Sequence, residues 1–397
     1  MPGYGISVYP DLRPLSEIKD YMALAAKYGC TRVFSSMFSV EGSEEEVLTY
    51  FREFISAAHS VGLQVSLDVN GPCLERFGAS PSDLSVFHSI GCDILRLDTP
   101  LTTEGYLQFL SNPYGIRLEL NASMGERGEA LIRDLLEKVE NSQDLLLCYN
   151  FYPQRYTGMK WEKFKSAAKR LSDTGCGQAA FVSSHGKDSH GVWDARDGLP
   201  TVERHRDLPI DLQARELLAA GMEYVLIGNA YATEEELKAL QAVFAPVEVP
   251  KENPLLPILK AMGLSSSALA GESRTLPKKL KIHLDPGITA MERKVLFEYY
   301  PHMDVGDSSE WIWRSRMPRM VYAKETFPPR KAEGEYFQPG DVVMVNDSYK
   351  HYAAEVQIVL KPILNDGTRN LVAKLDPQEF ELLSMVADGD TVVFLEA

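Results

Sequence analysis

YVLIGNAYATEEELKALQAVF (224–244) is one complete unit: an apolar strand, a polar tip, and a helix with apolar residues at three- and four-residue spacing. Seven similar units precede it. Their strands read GYGISV (3–8), CTRVFSS (30–36), QVSLDV (64–69), DILRLD (93–98), GIRLELN (115–121), LLLCYNF (145–151) and AAFVSS (179–184). Regular alternation of strand and helix predicts a parallel sheet, and eight units are the number that closes a (β/α)8 barrel. The barrel is expected over about residues 1–245, an α/β fold. Ser16 and Ser43 are expected to cap the first two helices, and Gly29 to close the first.

Barrel enzymes keep their chemistry at the carboxyl ends of the strands. Here those ends carry Asp68, Asn70, Asp98, Glu119, Asn121, Asn150, Tyr152, Ser184, His185 and Asn229. Carboxylates and amides in a ring suit a polyhydroxylated ligand, whose hydroxyls need both donors and acceptors. Asp98 and Glu119 end or nearly end strands four and five. Adjacent strands lie about 4.8 Å apart, so carboxyls there can stand about 5 Å apart, as a retaining glycosidase requires. Leu118 and Leu120 turn the other way in an alternating strand, which aims Glu119 inward. The competing reading is structural, because rim carboxylates also cap helices and pair with lysines. Asp68 and Asn70 share one side of strand three, and Asn121 lies on the side of Glu119. Asn150 and Tyr152 share a face after strand six. All five are candidate sugar ligands.

Other chemistries fit less well. His185, Asp188 and His190 match no zinc spacing, so no metal and no cofactor are expected. The chain has no nucleophile elbow and no P-loop, and no strand ends in an inward lysine suited to a Schiff base. IGNAYAT (227–233) offers only a weak phosphate loop. Two further classes stay open: an isomerase or aldolase on a sugar phosphate, with Glu119 as base, and a non-catalytic carbohydrate-binding surface protein.

At 397 residues, two domains are expected. The net charge of -15 disfavours nucleic acid as a partner. No apolar run reaches the roughly 20 residues of a membrane span, and the first residues lack a signal-peptide pattern. Five cysteines without pairing motifs argue against a disulfide framework, and the cytoplasm is the expected compartment. Assembly into a homo-oligomer is left open.

Residues 184–209 join strand seven to its helix without periodicity, a length that suggests a lid or substrate wall. APVEVPKENPLLP (245–257) reads as a domain junction. Beyond it, over 255–397, KLKIHLDPG, EYFQPGDVVMVN, YAAEVQIVL, RNLVAKL and DTVVFLE read as strands of a compact β-barrel, with DPQEFELLSMVA as a short helix. WIWRSRMPR (311–319) gathers Arg314, Arg316 and Arg319 with no acid among them. It is either an anion site or a solvated basic turn.

These segments together carry a resemblance. GISVYPD, CTRVFSSMF, SLDVN, LRLD, LELNAS, YNFYPQRYTG, DGLPTVERHR, IGNAYAT and RSRMPR make the sequence similar to the 6-phospho-N-acetylmuramidase (MupG-type) family over essentially its full length. The resemblance implies a catalytic barrel and a C-terminal cyclophilin-like β-barrel. It also implies hydrolysis of the β-1,4 bond in N-acetylmuramic acid 6-phosphate–N-acetylglucosamine, a cytoplasmic intermediate of peptidoglycan recycling. Glu119 in LELNAS is then the expected catalytic acid, with Asp98 or Asp197 as the second carboxylate. Glu203 and Arg206, in the same loop motif as Asp197, become candidate substrate ligands. Arg314 and Arg316 are expected to meet the anionic groups of this phosphorylated amino-sugar disaccharide, as arginine forks do.

Overall fold

A computed structural model describes residues 2–10, 12–37, 40–139, 144–246, 257, 276–300, 302–387 and 390–397. Two compact units divide between Phe244 and Ala245. Most of the junction expected over 245–257 lies outside the described residues.

The first unit is a closed barrel of eight parallel strands in sequential order. They are β1 (Gly3–Ser7), β2 (Arg32–Ser36), β3 (Gln64–Val69), β4 (Ile94–Leu97), β5 (Arg117–Asn121), β6 (Leu145–Cys148), β7 (Gln178–Val182) and β8 (Tyr224–Ile227). Closure is direct, because β1 pairs with β8 through Gly3 opposite Tyr224 and Gly5 opposite Leu226.

The helices follow from local sequence. α1 (Leu15–Lys27) is capped by Pro14, and Ser16, expected as its cap, lies inside the helix. α2 (Glu44–Ser60) does start at Ser43, with a capping box in which Ser43 and Glu46 satisfy each other's backbone N–H. α3 (Gly71–Arg76), α4 (Ser85–Ile90), α5 (Thr103–Leu110) and α6 (Gly125–Leu136) follow in order. α7 (Trp161–Leu171) buries Trp161, Phe164, Ala167, Ala168 and Leu171, an apolar stripe of helical period. α8 (Ile210–Ala219) and α9 (Glu234–Phe244) complete the ring.

The lumen is split by chemistry. On one side Phe34, Cys148, Ala179, Phe181 and Leu226 form an apolar cluster drawn from β2, β6, β7 and β8. On the other, Asp68, Arg96 and Glu119 stand at matching register on β3, β4 and β5. Register neighbours in a sheet share a face, so all three point into the barrel. The five cysteines are free and buried.

The second unit is a seven-stranded sheet that curls toward closure. Its strands are β9 (Lys278–Leu284), β10 (His302–Met303), β11 (Ile312–Ser315), β13 (Asp341–Val345), β14 (Val356–Val359), β16 (Arg369–Leu375) and β17 (Thr391–Glu396), in the order β10-β17-β9-β16-β13-β14-β11. β12 (Tyr336–Phe337) and β15 (Ile363–Leu364) pair separately. β17 runs parallel to β9 and the other pairs of the large sheet are antiparallel. One helix here was not foreseen: α10 (Ala290–Glu298), opened by a capping box of Thr289 and Glu292.

Candidate active site

Charge inside a barrel has to be matched, because an isolated buried ion is costly. Here the matching runs across the lumen. Arg32 on β2 pairs with Glu119 on β5 and donates to Ser66 Oγ at 2.6 Å. Arg96 on β4 donates from Nη1 to Asp68 Oδ1 at 3.0 Å and from Nη2 to Asn150 Oδ1. The second pair stands nearer the carboxyl end of the strands, since Asp68 is the penultimate residue of β3.

The structure places Glu119 inside the barrel. It lies in the middle of β5, 0 % exposed, and its Oε2 is held by Arg32. It is buried below the rim. The carboxyl groups at the rim are Asp68, 5 % exposed, and Asp98, which is exposed just past the end of β4. Burial is the main reason that the Asp68 carboxyl is pushed up to about 6; the attraction of Arg96 opposes this, while Asp98 and Glu119 add to it as nearby negative charge. Asp68 can therefore hold a proton close to neutrality beside a second, solvent-open carboxyl.

The amides expected as sugar ligands are partly committed to the scaffold. Asn70 caps α3 by accepting from Cys73 N at 2.9 Å, and Asn121 accepts from Ser123 N at 2.8 Å. Asn229 is spent as a staple between the loops after β7 and β8. It accepts from Ser184 N and donates to Ser184 O and Ser189 Oγ. Asn150 accepts from Arg96 through its Oδ1.

The long loop after β7 is ordered by one side chain. Arg206, with a side chain 1 % exposed, donates to Glu203, to the carbonyls of Asp197 and Gly198, and to those of Tyr152 and Gln154. Glu203 also accepts from Tyr156 N and Gly158 N, and Arg206 foremost holds its carboxyl well below the usual range. Arg206 and Glu203 thus bind the loops after β6 and β7 together, which fixes Tyr152 through its backbone. Asp197 is exposed, with its carbonyl on Arg206.

In the second unit, the expected basic cluster is an edge strand followed by a short helix, and its charges are already engaged. Arg314 makes a two-pronged bond to Glu355, and Arg316 binds Asp307 at 2.5 Å. The sequence reading missed Arg32 and Arg96. The signal was present: in ILRLD, Arg96 alternates onto the same face as Asp98.

Two family models match the chain. The N-terminal domain of 6-phospho-N-acetylmuramidase matches residues 4–242 and its C-terminal domain matches residues 278–395. Among solved structures, an uncharacterised Bacillus cereus protein is 31 % identical, with a TM-score of 0.81 and coverage of 100 % of this chain and 99 % of that one. A conserved Enterococcus faecalis protein of unknown function is 19 % identical with a TM-score of 0.62, covering 99 % of this chain and 96 % of the other, and shares the fold. No curated protein matches. With both of its units matched in order, the chain belongs to the 6-phospho-N-acetylmuramidase family of glycosidases.

Proposed function

We propose that this enzyme hydrolyses the β-1,4 bond between N-acetylmuramic acid 6-phosphate and N-acetylglucosamine in the cytoplasm, as a step of peptidoglycan recycling. Asp68 is the proton donor to the leaving oxygen. Asp98, on the neighbouring strand, is the carboxylate that meets the positive charge developing at the anomeric carbon. The observation that carries this reading is the pair itself: a buried, protonatable carboxyl beside an exposed one at the carboxyl end of the barrel, the division of labour that glycoside hydrolysis needs. Glu119 and Arg32 serve as positioning residues, fixing the charge of the lumen beneath Asp68. Arg96 orients the acid, and Asn150 Nδ2 and Tyr152 face the sugar.

The test is incubation with the phosphorylated disaccharide, with release of free N-acetylglucosamine followed by chromatography. Release by the native enzyme, reduced at least 10²-fold in Asp68→Asn and Asp98→Asn, is the expected result for loss of an acid or its partner. Intact disaccharide after prolonged incubation would overturn the substrate assignment. Undiminished release by both variants would overturn the residue assignment.

A further inference from the structure

A second feature of the barrel lies across the mouth from Asp68 and Asp98. A cavity of about 410 Å³ is lined by Leu12, Arg13, Pro14 and Glu17 after β1 and by His190, Asp194 and Arg196 after β7. In the closed strand order, β7, β8 and β1 face β3 and β4. Eight strands about 4.8 Å apart and tilted by about 36° make a ring roughly 15 Å across. Side chains entering from both sides narrow that width, and the phosphate must come from the same sugar ring that offers its anomeric carbon to Asp68 and Asp98.

The cavity has a polar atom in want of a partner. His190 is 2 % exposed, its Nδ1 stands 3.4 Å from Gly191 O, and its Nε2 has no partner. The ring lies among Tyr9 and Tyr231, at centroid distances of 6.4 Å and 5.8 Å. Its place is set by the bridge between His190 and Ala230, which ties the loop after β7 to the one after β8. Two guanidinium groups flank it. Arg13 is bonded to Glu17 at 3.2 Å and Arg196 to Asp194 at 2.5 Å. All four of those side chains are 36–56 % exposed, so the pairs are surface ion pairs of small worth. Both arginines can turn to a better anion without leaving a buried charge behind. Among the charged groups lining the cavity, two cations therefore stand against two weakly held acids.

We infer that this cavity is the subsite for the substrate's phosphate, a dianion held by Arg13 and Arg196 and by a proton-bearing His190 Nε2. The inference rests on the proposed substrate class, but it assigns the phosphate to the barrel itself. Loops after the last barrel strands are where this fold commonly receives phosphate. A planar guanidinium fork is matched to phosphate oxygens. Burial first, and then the charges of Arg196 and Arg13, lower the affinity of His190 for a proton, while its bond to Gly191 and the charge of Asp194 oppose this. A dianion at Nε2 reverses that balance, so binding takes up a proton.

The experiment uses the full chain and three sugars: N-acetylglucosamine 6-phosphate, N-acetylmuramic acid and N-acetylmuramic acid 6-phosphate. Titration calorimetry in two buffers of different ionisation enthalpy measures affinity and proton uptake. The histidine ring signals are followed by NMR, with His190→Gln used to assign them. Both phosphorylated sugars are expected to bind at least tenfold more tightly than N-acetylmuramic acid, to take up protons, and to move the His190 titration upward. Arg13→Ala with Arg196→Ala should weaken the phosphorylated sugars by ten- to a hundredfold, with an unchanged melting profile. Tight binding of N-acetylmuramic acid without the phosphate would show the lactyl carboxylate to be the anion and overturn the assignment. Phosphorylated sugars bound with native affinity by the double variant, or an unmoved His190 signal, would also overturn it. Calorimetry does not depend on turnover, so phosphate binding without hydrolysis of the disaccharide would refute the proposed reaction and leave this subsite standing.

Discussion

Replacing Asp68 with Asn separates a catalytic acid from a structural partner of Arg96, because the two accounts predict opposite changes in stability. The carboxyl lies at about 6 in the folded protein against an ordinary 3.8. With the folded value raised, the stabilisation that comes from the bound proton is complete below pH 3.8 and is lost as pH rises through 6. At 1.36 kcal/mol per unit, the native protein at neutral pH carries a penalty on the order of 3 kcal/mol for ionising this buried group. Asn keeps the shape, still accepts from Arg96, and never ionises. The variant is therefore expected to match the native protein in urea unfolding at pH 4 and to exceed it by up to about 3 kcal/mol at pH 7.5. Its turnover of the phosphorylated disaccharide should fall by about 10²–10⁴, the contribution of a general acid. In the native enzyme, kcat/KM should decline about tenfold per unit above pH 6, where the acid has lost its proton. A variant that is less stable at both pH values and retains activity within tenfold of native would refute the reasoning and make Asp68 a scaffold residue.

Three other outcomes follow from the same structure. Glu119→Leu alone leaves Arg32 charged and buried, which should cost about 3–5 kcal/mol, whereas adding Arg32→Met should recover most of that loss; urea midpoints of the two single variants and the double variant form the cycle that checks it. Arg206→Ala removes the clamp on both loops and should expose the bonds within 184–209 to limited proteolysis while the barrel helices keep their circular dichroism. Ser43→Ala should lower stability by about 1 kcal/mol through the lost capping box of α2, with no change in activity, measured by thermal melting and the disaccharide assay.

The barrel was legible because its signal is repeated: each strand is short and largely apolar, and most helices carry an apolar stripe. The site was legible only in outline. Asp68, Asp98 and Asn150 do gather at the carboxyl end, as alternation predicts. The pairing of Glu119 with Arg32 was not legible, because alternation tells which way a side chain points and not how deep along the barrel axis it lies. A rim residue and one a layer below look alike in a strand of five. Arg32 and Arg96 escaped notice for a related reason, since an arginine in a strand gives no sign of the carboxylate it meets, whether from three strands away, as for Arg32, or from the next strand, as for Arg96. Arg206 became a candidate ligand through its loop motif, and only the folded structure shows its donors taken by five backbone and side-chain neighbours. Arg13 is separated from His190 and Arg196 by most of the barrel's length in sequence, so nothing local could have joined it to them.

The five buried thiols have a practical consequence. Cys30, Cys73, Cys92, Cys148 and Cys176 all precede Phe244, and the rest of the chain has none. Burial pushes Cys30 up to about 12 and Cys73 up to about 11, so the native thiols are both hidden and unreactive. An alkylating reagent therefore counts openings of the barrel unit alone, with the C-terminal unit silent. Cys148, 0 % exposed in the lumen, records rupture of the strand ring itself, whereas Cys73 on the short α3 records fraying near the mouth. The ratio of their labelling rates is a built-in gauge of whether the catalytic rim loosens separately from the barrel that carries it.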